Sequence, residues 1–127
     1  AVVNEAMNSG CAVVASHAVG AAPFLIRDGA NGLIYQSEHI DSLTDAVSKL
    51  LSDRELCHTL GERAYETIAN EWNPKEAAKR LVKLCQELES GSFRFEKSGP
   101  LSEAPVIPEK KMYDYVKGVW QCPGNPK

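Results

Sequence analysis

The sequence predicts an α/β fold, rich in helix and with a short parallel sheet, on three observations. A short amphipathic helix stops at Gly10 and runs almost directly into the apolar stretch Cys11-Ala12-Val13-Val14-Ala15. A second β-type run, Leu33-Ile34-Tyr35, follows two turn signals, and three helical periodicities then fill residues 41–91. A continuous small and β-branched run suits a strand covered on both faces, which is how strands of parallel sheets read.

Val2, Val3, Ala6 and Met7 share one helix face, and Asn8-Ser9-Gly10 supplies the stop. After the first strand, Ser16-His17-Ala18-Val19-Gly20-Ala21-Ala22 forms a loop at its carboxyl end, the edge where open α/β sheets place ligands. Pro23 suits the first turn of a brief helix through Phe24, Leu25 and Ile26. Asp28-Gly29 and Asn31-Gly32 are turn signals ahead of the second strand.

Leu43, Ala46, Val47, Leu50 and Leu51 keep helical spacing over Asp41 to Ser52, and Asp53 is placed to cap the next helix. There Leu56, Leu60, Ala64 and Ile68 form a stripe, with Gly61 tolerated inside at about 1 kcal/mol relative to alanine. Asn73-Pro74-Lys75-Glu76 resembles a capping box with proline at the first helical position. The helix it opens puts Ala77, Ala78, Leu81, Cys85 and Leu88 on one face and ends at Gly91. These three faces read as buried core, and core packing explains their residues without catalysis.

Residues 1–90 therefore form the folded portion and 91–127 a tail, which holds five of the seven prolines. Within the tail Met112, Tyr115, Val116 and Val119 keep the spacing of a short amphipathic helix that needs another surface to cover it. A chain of 127 residues has room for one domain, and 43% hydrophobic with 24% charged residues are values of a water-soluble globular protein. The helical pattern is already under way at Ala1, which reads as a chain that begins inside a domain.

The net charge of -3 comes from scattered side chains, so no basic stripe exists to track a nucleic acid. Cys11, Cys57, Cys85 and Cys122 form no C-x-x-C pair and have no zinc-type spacing with His17, His39 and His58. No metal or cofactor site is expected, and the cysteines read as reduced thiols of a cytoplasmic protein. No apolar run reaches membrane-spanning length. Trp72 reads as a helix-end anchor and His17 as a satisfied loop histidine.

Asn4-Glu5-Ala6-Met7-Asn8-Ser9-Gly10-Cys11-Ala12-Val13-Val14-Ala15-Ser16 is similar to the E-A-M-x-x-G-x-P-V-V-A-S segment of family 4 (group 1) GT-B glycosyltransferases. Cys11-Ala12 stands where that pattern has a residue followed by proline. Gly20-Ala21-Ala22-Pro23-Phe24-Leu25-Ile26-Arg27-Asp28-Gly29-Ala30-Asn31-Gly32-Leu33 continues the match to G-G-x-P-E-L-I-x-D-G-x-N-G-L, with Ala21 at the second glycine and Phe24 at the glutamate. Leu50-Leu51-Ser52-Asp53 and Leu60-Gly61-Glu62-Arg63-Ala64 extend it, so the resemblance covers about residues 1 to 90 in order.

The resemblance implies a partial Rossmann-like C-terminal domain of a GT-B enzyme, contributing part of the nucleotide-sugar site. The activity it implies is retaining transfer of a sugar from a UDP- or GDP-sugar to a glycan or lipid-linked acceptor, with no metal. Glu5 matches the second glutamate of the family's E-x7-E pair, whose first member would precede Ala1. By resemblance, Glu5 accepts hydrogen bonds from the donor's ribose, the amides of Ala1, Val2 and Val3 meet its diphosphate, and Gly20 and Ala21 border its sugar. Without the resemblance Glu5 reads as a solvated helix residue. No catalytic residue is assigned, because the family's cationic pair lies upstream.

The isolated chain is expected to be inactive, cytoplasmic, and membrane-peripheral at most in the full-length enzyme. Its expected partners are the donor, the acceptor and the N-terminal domain of the parent enzyme, on which Tyr113, Tyr115 and Trp120 would dock. Self-association through sheet edges is a further expectation. The alternative reading is a non-catalytic interaction or binding module.

Overall fold

The computed structural model describes residues 2–119. Helix α1 (Val2–Asn8), strand β1 (Val14–Ser16), the one-turn helix α2 (Ala22–Leu25) and strand β2 (Leu33–Tyr35) come first. Helices α3 (Ile40–Ser52), α4 (Arg54–Asn70) and α5 (Pro74–Ser90) follow, and after an irregular stretch a 3-10 turn (Glu109–Lys111) leads into α6 (Met112–Val116). The strands pair in parallel, Val14 with Leu33, Ala15 with Ile34 and Ser16 with Tyr35, so the helix-rich α/β class is as predicted.

The first strand starts later than the apolar run that predicts it. Gly10 takes φ 72°, and the amides of Gly10 and Cys11 donate back to the carbonyls of Met7 and Ala6, 3.0 and 3.1 Å away. This closes α1 with a Schellman cap. The Cys11 amide is therefore spent on the helix, and cross-strand bonding begins only at the Val13 carbonyl, which accepts from Leu33 N at 2.8 Å.

The other caps are the predicted ones. Asp53 accepts from Leu56 N at 2.9 Å, Asn73 from Glu76 N at 2.8 Å, and Gly91 ends α5 with φ 70°. The capping box at Asn73 is only half formed, because the Glu76 carboxylate turns to Arg80, 2.9 Å away.

The core gathers Met7, Ala15, Ala22, Leu25, Ile26, Ile34, Ala64, Ile68 and Val116, and Leu60 is also fully buried. The α4 stripe is thus core, as its spacing predicts. The faces predicted for α3 and α5 are not: neither helix has a buried residue, and Leu51, Leu81 and Leu88 are 82%, 52% and 59% exposed. Helical spacing reports an apolar face but not what lies over it. Here α1 packs on α4, and α3 lies against both strands and α4 with Leu43, Ala46 and Leu50 half-buried, so its stripe is only partly covered and that of α5 less so.

The stretch after Gly91 is expected to hold no core, and Val116, 7% exposed, departs from that. Met112, Tyr113 and Tyr115 pack with it against the core, where α6 meets α2. Lys117 then fastens the segment, its ammonium 2.6 Å from the Asp28 carboxylate. Asp28 also accepts from Ile34 N at 2.7 Å, so one side chain serves both β2 and the returning segment.

Charge holds the intervening stretch against α5. Lys83 lies 2.7 Å from Glu96, and Arg80 donates to the carbonyls of Ser98 and Pro100. The hydrogen bond from Arg80 holds the Glu76 carboxyl below its ordinary 4.5, and that from Lys83 does the same for Glu96, while the Lys83 ammonium is raised above 10.5.

A carboxyl that titrates lower in the folded chain stabilises it above the unfolded value, and the benefit is lost as pH falls through the folded value. For Lys83 the loss comes as pH rises through its raised value. We therefore expect carboxyl NMR titrations of Glu76 and Glu96 to show midpoints under 4.5, with amide protection over residues 93–102 falling through that acid range. A Glu96 midpoint at the free-carboxyl value would dismiss the tether.

Candidate functional site

The carboxyl end of β1 carries the rim loop. The Ser16 hydroxyl accepts from Ala18 N at 3.2 Å, and His17 N donates to the Tyr35 carbonyl at 3.0 Å. The His17 ring then accepts at Nδ1 from Ser37 N, also at 3.0 Å. His17 thereby staples the loop after β1 to the loop after β2, the satisfied role expected for it.

Gly20 is exposed, with open space where a side chain would be. Ala21 caps α2 at φ −80°, ψ −20°. That is ordinary right-handed backbone, so alanine at the resemblance's second glycine carries no strain here. Phe24, 44% exposed, meets Trp72 edge-on with ring centroids 6.3 Å apart.

On α1, Met7 is fully buried and Val3 half-buried against the core, whereas Val2 and Glu5 are exposed. Among the described residues no ion pair or hydrogen bond engages the Glu5 carboxylate; only its backbone carbonyl is used, by Ser9. Ala1 lies outside the described residues. The Gly10 cap and the close crossing of α1 over α4 at Gly61 fix this helix in place.

A cavity of about 220 Å³ opens beside the rim. The rim loop and α2 give one wall, His17, Ala18, Val19, Gly20, Pro23 and Phe24; Pro105, Ile107, Met112 and Tyr115 give the other. Of the residues assigned from sequence, Gly20 lines it, and Glu5, Val2, Val3 and Ala21 do not. The second wall was missed because it comes from the segment read as a tail. The spacing of Met112, Tyr115 and Val116 was its one signal.

A larger hollow, about 370 Å³, lies away from the rim between the Arg27–Asn31 turn and α4. Its arginines, Arg27 and Arg63, are offset by Glu66 and Glu71, and Arg27 sits 3.4 Å from Glu71. That charge balance makes it a poor anion site despite its size. No group of three His, Cys, Asp or Glu with metal-ligating placement occurs among the described residues. None of the helices among them is long and apolar enough to cross a membrane.

A parallel α/β sheet with a loop-built rim at its carboxyl edge is the class of architecture that binds ligands at that edge. The particular family follows from comparison: the family model described as glycosyl transferases group 1 matches residues 1–67, and the chain belongs to that family.

The chain is 33% identical over 87 residues to an exopolysaccharide phosphotransferase of Streptomyces coelicolor, a stretch that is 68% of this chain and 9% of that protein. It is 30% identical over 78 residues to a GDP-mannose-dependent alpha-(1-6)-phosphatidylinositol monomannoside mannosyltransferase of Mycobacterium tuberculosis, 61% of this chain and 20% of the relative. Among solved structures it resembles sucrose-phosphate synthase from Thermosynechococcus elongatus, with a TM-score of 0.62 and 30% identity. That match covers 72% of this chain and 23% of the synthase, whose fold is GT-B. The chain thus spans less than a quarter of each of these proteins.

Proposed function

We propose that the chain supplies part of the donor site of a retaining glycosyltransferase, which moves a sugar from a GDP- or UDP-sugar to a glycan or lipid-linked acceptor. The observation that carries this is the family match over residues 1–67, which includes α1 and its exposed, unpartnered Glu5 carboxylate. The GDP-mannose dependence in the mycobacterial relative's name favours a GDP-sugar.

In this reading Glu5 accepts hydrogen bonds from the ribose hydroxyls of the donor. An ionised carboxylate offers two acceptor oxygens for a vicinal diol, and being exposed it needs no rearrangement to do so. The amides of Ala1, Val2 and Val3 meet the diphosphate, whose charge grows as the sugar departs. Gly20 and Ala21 border the sugar. The residues that assist departure, the acceptor domain and a cytoplasmic, membrane-peripheral setting belong to the full-length enzyme.

In the full-length protein, Glu5→Ala is expected to weaken GDP or UDP binding roughly 10- to 100-fold, the loss of charge-assisted hydrogen bonds. Isothermal titration measures it, and unchanged affinity removes Glu5 from the site. The Streptomyces relative's name favours a second reading, phosphotransfer to an exopolysaccharide. A gain of phosphorus over the unreacted acceptor, absent after simple glycosyl transfer, separates the two.

A further inference from the structure

We propose that the cavity between the rim loop and the C-terminal segment is a binding site for a small neutral aromatic group carrying one hydrogen-bond acceptor, separate from the nucleotide contacts of Glu5. Size, lining and one unpartnered donor converge on this chemistry.

An apolar cavity of roughly 150 Å³ is large enough to hold benzene. This one, at about 220 Å³, has room for a ring with a short substituent. Phe24 and Tyr115 contribute aromatic surface to its walls, and Pro23, Ile107 and Met112 contribute aliphatic surface. Offset and edge-on ring contacts therefore lie within reach of an aromatic guest. No lysine, arginine, aspartate or glutamate is among the lining residues, so a charged guest would enter without a counter-ion.

The acceptor requirement comes from His17. Its Nδ1 accepts from Ser37 N, and an accepting Nδ1 places the ring proton on Nε2. Among the described residues nothing accepts from that Nε2–H, while the ring is held edge-on to Tyr113 with centroids 5.3 Å apart. His17, a lining residue, thus brings an N–H donor to a lining without charged side chains. Residues 105–115, which complete the site, lie beyond the family-matched stretch of 1–67. This guest is therefore a property of this chain's own C-terminal segment.

Three probes of similar size test the site on the intact chain: acetophenone, ethylbenzene and methyl α-mannoside. Binding is followed by NMR at the Gly20 amide and the Met112 methyl. Acetophenone is expected to saturate these shifts, ethylbenzene to bind about ten-fold more weakly for want of an acceptor, and the mannoside not to saturate them. Gly20→Leu, built into the open space beside Gly20, is expected to abolish acetophenone binding while resonances elsewhere stay in place.

Equal binding of acetophenone and ethylbenzene, saturation by the mannoside, saturation by no probe, or full acetophenone affinity in a folded Gly20→Leu protein would each overturn the proposal. The probe ranking decides the matter even where that variant fails to fold. Gly20 is shared with the proposed sugar contact, so the nucleotide reading is judged on Glu5 alone in a separate titration, and either reading can fail while the other stands.

Discussion

Replacing Gly61 by alanine is expected to destabilise the protein by about 3 kcal/mol or more, and the sign is the informative part. By helix propensity alone the change should stabilise α4 by about 1 kcal/mol. The packing says otherwise. A Cβ at Gly61 would fall well inside contact distance of the Gly10 carbonyl oxygen, 3.2 Å from the Gly10 carbonyl carbon and 3.5 Å from Ala12 N. These are backbone atoms, and Gly10 is pinned by the α1 cap, so no side chain can swing aside. A urea midpoint that falls with an unchanged slope confirms the clash. A midpoint that rises shows α1 free to lift from α4. Glu62→Ala, on the exposed neighbour, should change stability by only about 0.5 kcal/mol.

Asn31→Ala is the second large effect, expected at about 2–4 kcal/mol. Asn31 is 3% exposed and fully engaged. Its carbonyl oxygen accepts from Arg27 N at 2.7 Å, and its amide donates to the Leu25 carbonyl at 3.0 Å and to the Thr67 hydroxyl at 2.9 Å. Truncation strands a backbone donor and a backbone acceptor in a site too enclosed for free hydration. Asn31→Asp keeps the acceptor but turns a carboxylate oxygen toward the Leu25 carbonyl, so it should lose nearly as much at neutral pH and recover part on acidification. Thermal unfolding of both variants across pH measures this. An Asn31→Ala protein as stable as the original would mean that water replaces all three bonds.

Both residues show where the sequence was legible and where it was not. Asn31-Gly32 reads correctly as a turn, because turn chemistry is local. That the same Asn31 reaches Thr67 on α4 is a long-range fact that turn statistics do not carry. Gly61 reads as a tolerated blemish in a helix, since only the approach of a second backbone gives it a purpose.

The element order and the caps at Asp53, Asn73 and Gly91 were readable from neighbours within a few residues, and the parallel pairing from the two buried apolar runs. The burial of α3 and α5 was not, because an amphipathic stripe does not name its partner. At the rim, Gly20 could be placed through the family resemblance. The opposite wall could not, because the amphipathic spacing of Met112, Tyr115 and Val116 does not say which surface covers it.

Asp28 grips an early strand with one oxygen and Lys117 with the other, and Lys117 also reaches the Ile34 carbonyl across 83 positions of chain. On the ribosome, then, the first strands and helices emerge and wait, their apolar underside uncovered until α6 arrives. Closing so long a loop adds entropy cost only logarithmically, so the delay weighs on the rate of maturation far more than on the finished molecule.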